Sequence, residues 1–260
     1  MKQILIYVFM VITVIFMVVL VSKNETVSSI KLLSVDTYYS FIDHEDEQLY
    51  IDFYLSDQKH PLINITNYDF IEVHNQARTK SLYLDLIEIS YQLEEVYLND
   101  IYHKYTYIFN APHLSYDFEI EDCHLSVSLI NDDSYTFYIG SLSLLSLTSN
   151  DEISFDWHAL SGRKDEGKYI ARLSEIVVEY NHLTKSIIDV SIGKFTHLEF
   201  EVTADYLKIE IPFEKQLLTA CPLIITFNDD SVYIINYFIY MNDFETLKQA
   251  GQLIYHYALN

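Results

Sequence analysis

Leu49-Tyr-Ile-Asp-Phe-Tyr-Leu55 places Leu49, Ile51, Phe53 and Leu55 on one side of an extended chain and Tyr50, Asp52 and Tyr54 on the other. That period of two is the mark of a strand with one buried face. The same beat returns at Leu82, Leu84 and Leu86, at Tyr105, Tyr107 and Phe109, and at Tyr116, Phe118 and Ile120. It continues through Leu125, Val127 and Leu129 and through Tyr135, Phe137 and Ile139. A later series holds Ile176, Val178 and Tyr180, then Val190 and Ile192, Leu198 to Val202, Leu207 to Ile211, Leu223 to Phe227, and Tyr233 with Ile235. Many short strands joined by polar turns, with no long amphipathic helix between them, predict an all-β chain built of sandwiches rather than βαβ units.

An internal echo divides the chain. Cys123-His-Leu-Ser-Val-Ser-Leu-Ile-Asn-Asp-Asp-Ser134 resembles Cys221-Pro-Leu-Ile-Ile-Thr-Phe-Asn-Asp-Asp-Ser231, with one residue fewer in the second copy. In each, a strand runs into Asn-Asp-Asp-Ser, whose side chains bond nearby amides and suit a hairpin turn. The copies lie about 97 residues apart, roughly one immunoglobulin-like sandwich. Two tandem immunoglobulin-like β-sandwich domains are therefore expected, over 31–150 and 172–260. The stretch 151–171 between them is read as a connection, because it holds two of the five glycines and the lone Trp157. A C-terminal helix is expected over 243–258 on the second sandwich, with Asn242 as cap, Glu245 completing a capping box, and Phe244, Leu247, Gly251, Ile254 and Ala258 on one face.

Residues 1–3 form a short tail before the run Ile4 to Val21, which contains no charged residue, and residues 22–30 follow as a linker. As a helix that run would be about 27 Å long, close to the ~30 Å hydrocarbon core of a bilayer. Two readings compete: an uncleaved signal-anchor helix over 4–21, or a secretory signal removed near Ser28. The first makes the chain a single-pass protein of the cell membrane with its bulk extracytoplasmic; the second makes it secreted.

Against 16 Lys and Arg stand 38 Asp and Glu, a formal charge of −22. Such a field repels phosphate backbones, which excludes nucleic acid as a partner. Two cysteines are too few for a disulfide framework, and two buried thiols are favoured over a bridge. The chain has no HExxH, GxSxG, GxxxxGK[ST] or GxGxxG, so no catalytic residue and no cofactor is assigned.

Acidic turns are the nearest approach to a cation site: Asp43, Glu45, Asp46 and Glu47, then Asp132 with Asp133, and Asp229 with Asp230. Tyrosine is unusually common, 23 of 260 residues. Tyr50, Tyr54 and Tyr105 on candidate outer faces, with Trp157, are the candidate ligand contacts, set against ordinary cross-strand packing. The function expected is a non-enzymatic module that binds another protein or a cell-envelope component. The alternatives are a carbohydrate-binding or carbohydrate-processing domain and an accessory subunit of a membrane complex.

Overall fold

The structure, a computed structural model, describes residues 29–42, 48–147, 150, 155–165, 172–193, 195–212, 217–218, 220–239 and 246–259. In chain order the first strands are β1 (Ile30–Val35), β2 (Thr37–Ile42), β3 (Gln48–Leu55), β4 (Tyr68–Asn75), β5 (Ser81–Tyr83), β6 (Asp85–Tyr97), β7 (Asp100–Asn110), β8 (Phe118–Leu129) and β9 (Ser134–Leu145). There follow β10 (Phe155–Asp165), β11 (Arg172–Leu183), β12 (Ile187–Ile192), β13 (Phe200–Val202), β14 (Tyr206–Glu210), β15 (Leu217–Leu218), β16 (Ala220–Phe227) and β17 (Val232–Ile239). A short helix α1 (Thr246–Ala250) and β18 (Ile254–Leu259) end the described chain.

The later strands pair as β10-β11-β14-β13 and β12-β16-β17, all antiparallel. In immunoglobulin lettering these orders are ABED and CFG, the constant-type sandwich. The earlier strands repeat the plan. β1-β3-β7-β6 is again ABED, and β9-β8-β4-β5 is GFCC′. β2 lies parallel to β9 from Thr37 opposite Gly140 to Ile42 opposite Leu145. The expected all-β, immunoglobulin-like sandwich architecture is thus present in both halves.

Each sandwich closes over its own core. Leu49, Ile51, Phe53 and Leu55 point between the first two sheets, where Phe53 meets Tyr107 and Phe137 at ring separations of 5.1 and 5.3 Å. Burying one such aromatic is worth about 2–3 kcal/mol. Ile176, Val178, Leu207, Ile209, Leu223, Ile225 and Phe227 fill the second core. Cys123 lies in the first core and Cys221 in the second, and neither forms a disulfide. Burial pushes the Cys123 thiol well above its ordinary pKa, leaving it a small, unreactive apolar group.

The two echoed segments are the F strands and F–G hairpins of the two sandwiches. The spacing is 98 residues throughout and needs no gap. Cys123 pairs with Cys221 in position, and left-handed Asp132 (φ 70°) pairs with left-handed Asp230 (φ 63°). Leu129 N–H bonds Asp133 O at 2.8 Å, and Phe227 N–H bonds Ser231 O at 2.9 Å. Backbone geometry, not the repeated letters, sets the equivalence.

Three expectations are corrected. No helix among the described residues is long and apolar enough to cross a membrane, so the structure does not support the single-pass localisation or a membrane partner. The run 4–21 on which that expectation rested lies outside the described residues. The C-terminal helix is also cut short. α1 stops at Ala250 because Gly251 turns left-handed at φ 53°, and Ile254–Leu259 extends as a strand that pairs with β1 through six residues. Finally, Trp157 sits within β10 rather than in a connection.

The chain's return joins the halves. β17 ends in the second sandwich, whereas Leu247, Ala250 and Ile254 pack on Leu33, Val35, Tyr54 and Tyr102 of the first. At the other junction β2 is buried on both faces. Tyr39 and Phe41 enter the first core, while Tyr38 enters the second and meets Phe195 edge-on at 6.4 Å.

His60 begins the 3₁₀ turn Pro61–Ile63 by accepting the Leu62 N–H on Nδ1 at 3.2 Å, which requires that nitrogen to be unprotonated. Burial lowers the His60 pKa below its usual 6.5. As pH falls through that usual value the unfolded chain takes up a proton that the folded chain refuses, so stability drops; it is fully present above it. His60→Asn keeps an N-cap acceptor that does not titrate. Urea midpoints at pH 7.5 and 5.5 should show the native chain losing stability relative to His60→Asn at the lower pH. An unchanged difference between the two would refute the cap.

Candidate functional site

At Asp36 the chain leaves one sheet of the first sandwich and joins the other, and the Asp36 N–H is tied to Leu253 O at 2.8 Å. Beside this crossover β9 carries Gly140 at φ 113°, and β8 bulges between Ile120 and Cys123. The bulge leaves Glu121 and Asp122 without partners in the ladder and exposed to solvent. Bulges re-aim side chains, and this one brings the Asp122 carboxylate close enough to an aromatic cluster for its charge to act on Tyr138 and Tyr255.

Tyr138 is the centre of that cluster. Its backbone N–H donates to the Tyr257 hydroxyl at 2.7 Å, its carbonyl accepts from Ser34 Oγ at 2.5 Å, and its hydroxyl donates to Asp36 Oδ1 at 3.4 Å. Tyr255 lies 4.5 Å away with rings tilted by 50°, and His124 lies 5.3 Å away at 68°. Tyr255 is 40% exposed. His124 is steered by its Nδ1–H, which donates to Asp122 O at 3.0 Å. Burial first, then the negative charge of Asp36, raises the pKa of the Tyr138 and Tyr255 hydroxyls, and Asp122 adds to both. Both hydroxyls therefore stay protonated at neutral pH.

Next along the same face, the His74 ring stacks on His124 at 5.8 Å. His74 Nδ1–H donates to Asn75 O at 2.8 Å, so the neutral ring accepts the Ser126 hydroxyl on Nε2 at 2.7 Å. A serine bonded to an oriented histidine is the geometry of an activated nucleophile. Here it is closed. His74 and Ser126 are buried, and Ser126 Oγ also receives the Thr136 hydroxyl at 2.7 Å and Arg78 at 3.2 Å. Arg78 in turn is ion-paired with Glu72. With every lone pair and proton taken, the pair braces the sheet and has no free acceptor for a substrate.

The residues singled out from the sequence lie elsewhere. Tyr54 and Tyr105 are buried, and so are Tyr38, Tyr39, Tyr102 and Tyr107. Tyr50 is 44% exposed, but its hydroxyl is spent on Gln48 at 2.7 Å. Trp157 packs against the second core and donates its Nε1–H to the Tyr233 hydroxyl at 2.9 Å. Among the acidic turns, Asp229 is held by Lys185 at 2.7 Å and by Ser231, which lowers its pKa to about 2. Asp133 accepts from Asn131, and Asp132 and Asp230 are turn residues. Among the described residues no group of three or more His, Cys, Asp and Glu could hold a metal ion. Asp43, Glu45, Asp46 and Glu47 lie outside those residues.

A second exposed feature is the two-residue hairpin between β6 and β7. Leu98 and Asn99 both take positive φ, 48° and 67°, in the manner of a type I′ turn. Leu98 is 70% exposed, beside exposed Val96 and its cross-strand partner Ile101. A leucine in the left-handed region costs about 1–2 kcal/mol that asparagine largely avoids. Leu98→Asn should therefore raise stability by about 1 kcal/mol in chemical denaturation, whereas Leu98→Val should lower it.

No protein-family model matches the chain, and no curated protein matches it. Among solved structures it is similar to the fibronectin(III)-like modules of Clostridium thermocellum CbhA, at 8% identity and TM-score 0.21 over 78% of this chain and 90% of that one. It is also similar to Bacteroides ovatus SGBP-B of a mixed-linkage glucan utilization locus, solved with a mixed-linkage heptasaccharide, at 12% identity and TM-score 0.22 over 78% of this chain and 42% of that one. The YadV chaperone follows at 8% identity and TM-score 0.18, over 79% and 98%. Likenesses this slight carry no argument about fold or function, which rest on the chain's own topology and side chains.

Proposed function

We propose that the chain is a non-enzymatic binding module whose first sandwich offers Tyr138, Tyr255 and His124, with Asp36 and Asp122, to another protein. The observation that carries this reading is the convergence, at a strand crossover where the two sheets meet, of Tyr138 and His124 from one sheet, Tyr255 from the other, and Asp122 of a β-bulge. Tyrosine and histidine rings bury area while keeping a polar edge available, which suits a contact surface. The one serine–histidine pair on that face is consumed by its own hydrogen bonds.

A carbohydrate ligand is the second reading, favoured by three rings in mutual contact where the two sheets meet. Its weakness is their orientation: a sugar ring stacks on a flat shelf, and these rings tilt by 50° and 68° to one another.

The test compares the native chain with Tyr138→Ala/Tyr255→Ala, both immobilised. Each is exposed to solubilised proteins of the source cell and, separately, to soluble neutral polysaccharides in affinity electrophoresis. The expected result is a protein retained by the native chain, lost from the double variant, and binding again when purified. Equal retention by both chains overturns the proposal. Retardation by a polysaccharide that the double variant abolishes moves the assignment to the second reading.

A further inference from the structure

We infer that the Tyr138–Tyr255–His124 patch takes a cationic side chain of its partner, a guanidinium or an ammonium, against the ring faces and beside the carboxylates of the β8 bulge. The inference rests on the reading of this patch as a protein-binding surface and names the chemistry it recognises.

Ring orientation comes first. The Tyr255 and His124 rings flank Tyr138 at 4.5 and 5.3 Å but are inclined to it by 50° and 68°. Rings inclined in this way turn their faces in different directions instead of forming one flat shelf. Aromatic faces carry negative potential, so a cation seated on the half-exposed face of Tyr255 or Tyr138 is attracted by it.

Charge comes second. Glu121 and Asp122 are exposed, and among the described residues neither is ion-paired with a lysine, arginine or histidine. The Asp36 carboxylate accepts the Tyr138 hydroxyl at 3.4 Å. Arg78, on the same sheet face, is held by Glu72 and Ser126, and the Lys80 ammonium donates to the Glu119 carbonyl at 2.8 Å. Beyond the patch, an excess of 38 acidic over 16 basic residues attracts positive groups at long range.

Guanidinium fits better than ammonium. It is planar, less strongly hydrated, and able to stack on a ring while its edge donates to a carboxylate. An ammonium obtains the charge attraction without the stacking.

The test uses small probes on the whole chain: Nα-acetyl-arginine amide, Nα-acetyl-lysine amide, and Nα-acetyl-citrulline amide as a neutral isostere of arginine. Ring-proton NMR signals of Tyr138, Tyr255 and His124 report binding. The expected result is saturable shifts with the arginine probe, weaker ones with lysine and none with citrulline. Adding salt and introducing Glu121→Gln/Asp122→Asn should each weaken arginine binding, the double substitution by roughly tenfold. Both carboxylates are exposed, and an unchanged near-ultraviolet dichroism spectrum would establish that the variant is folded. Equal binding of citrulline and arginine, or arginine binding untouched by the double substitution, overturns the inference while leaving the protein-binding reading standing. Arginine binding without any retained protein leaves the patch's recognition of a cation standing and removes the protein-binding reading.

Discussion

Gly140→Ala should destabilise the protein by about 4 kcal/mol or more, or prevent it from folding, because two separate costs fall on one position. The backbone there has φ 113°, a conformation that an L side chain rarely adopts. An added Cβ would also stand 2.0 Å from Thr37 O, 2.4 Å from its N and 2.8 Å from its C. Those atoms belong to a strand backbone and cannot swing aside like the end of a lysine. The only relief is to part β2 from β9, which gives up the parallel pairing from Thr37 to Ile42. Tyr39 and Phe41 would then leave the first core, and Tyr38 the second.

Gly251→Ala is the internal control. Its φ is 53°, but nothing lies within 4 Å of the new Cβ. Only backbone strain remains, about 1–2 kcal/mol. Urea denaturation of both variants separates the contributions. A loss below about 1 kcal/mol at Gly140 would mean that β2 is not held as described.

The same glycine explains why the fold class could be read from the sequence while the candidate site could not. Alternation is local, so Leu49 to Leu55 declares its buried face without reference to any other strand. β2 declares nothing, since Thr37 to Ile42 is buried on both sides and its Tyr38 serves a different core from Tyr39. The C-terminal residues misled for a related reason. Leu247, Gly251, Ile254 and Ala258 share a helical face on paper, yet Gly251 ends the helix and Ile254 to Leu259 finds an unpaired edge at β1.

The patch is not legible in the sequence because it is assembled from three distant stretches, at Asp36, at Asp122 to Tyr138, and at Tyr255. No spacing rule links them. The extra residue of the β8 bulge breaks the alternation of that strand and is the patch's one local sign, visible as Glu121-Asp122 between Ile120 and Cys123. The tyrosine count pointed toward exposed rings, but most of the tyrosines singled out fill cores, where strand propensity alone accounts for them.

Removal of residues 246–260 should be nearly as damaging as Gly140→Ala. α1 covers the outer face of the β18-β1-β3-β7-β6 sheet, where Leu33, Tyr54 and Tyr102 are almost wholly buried, and β18 forms that sheet's edge beside β1. Burial pushes the Tyr54 hydroxyl well above its ordinary pKa, as expected of a ring sealed under this cover. Glu95, itself buried, accepts the Leu247 N–H on Oε2 at 2.7 Å. It lies beneath the start of the helix, where a negative charge is favoured. Deletion would leave this carboxylate without that donor, open an apolar patch on the sheet and bare the edge of β1 for pairing with other chains.

The expected outcome is a loss of about 4 kcal/mol or more, with aggregation at concentrations where the native chain stays dispersed. Leu247→Ala, which empties one fully buried site, should cost about 2–5 kcal/mol without exposing the edge. The pair of results distinguishes the covering helix from the edge strand. If the point variant matches the deletion in stability and neither aggregates, β18 contributes little and the clasp is the helix alone. Tyr255 lies on β18 and Tyr138 is tied to Tyr257, so the deletion also dismantles the ring patch, whereas Leu247→Ala leaves it in place. Arginine-probe binding should accordingly survive the point variant and vanish with the deletion.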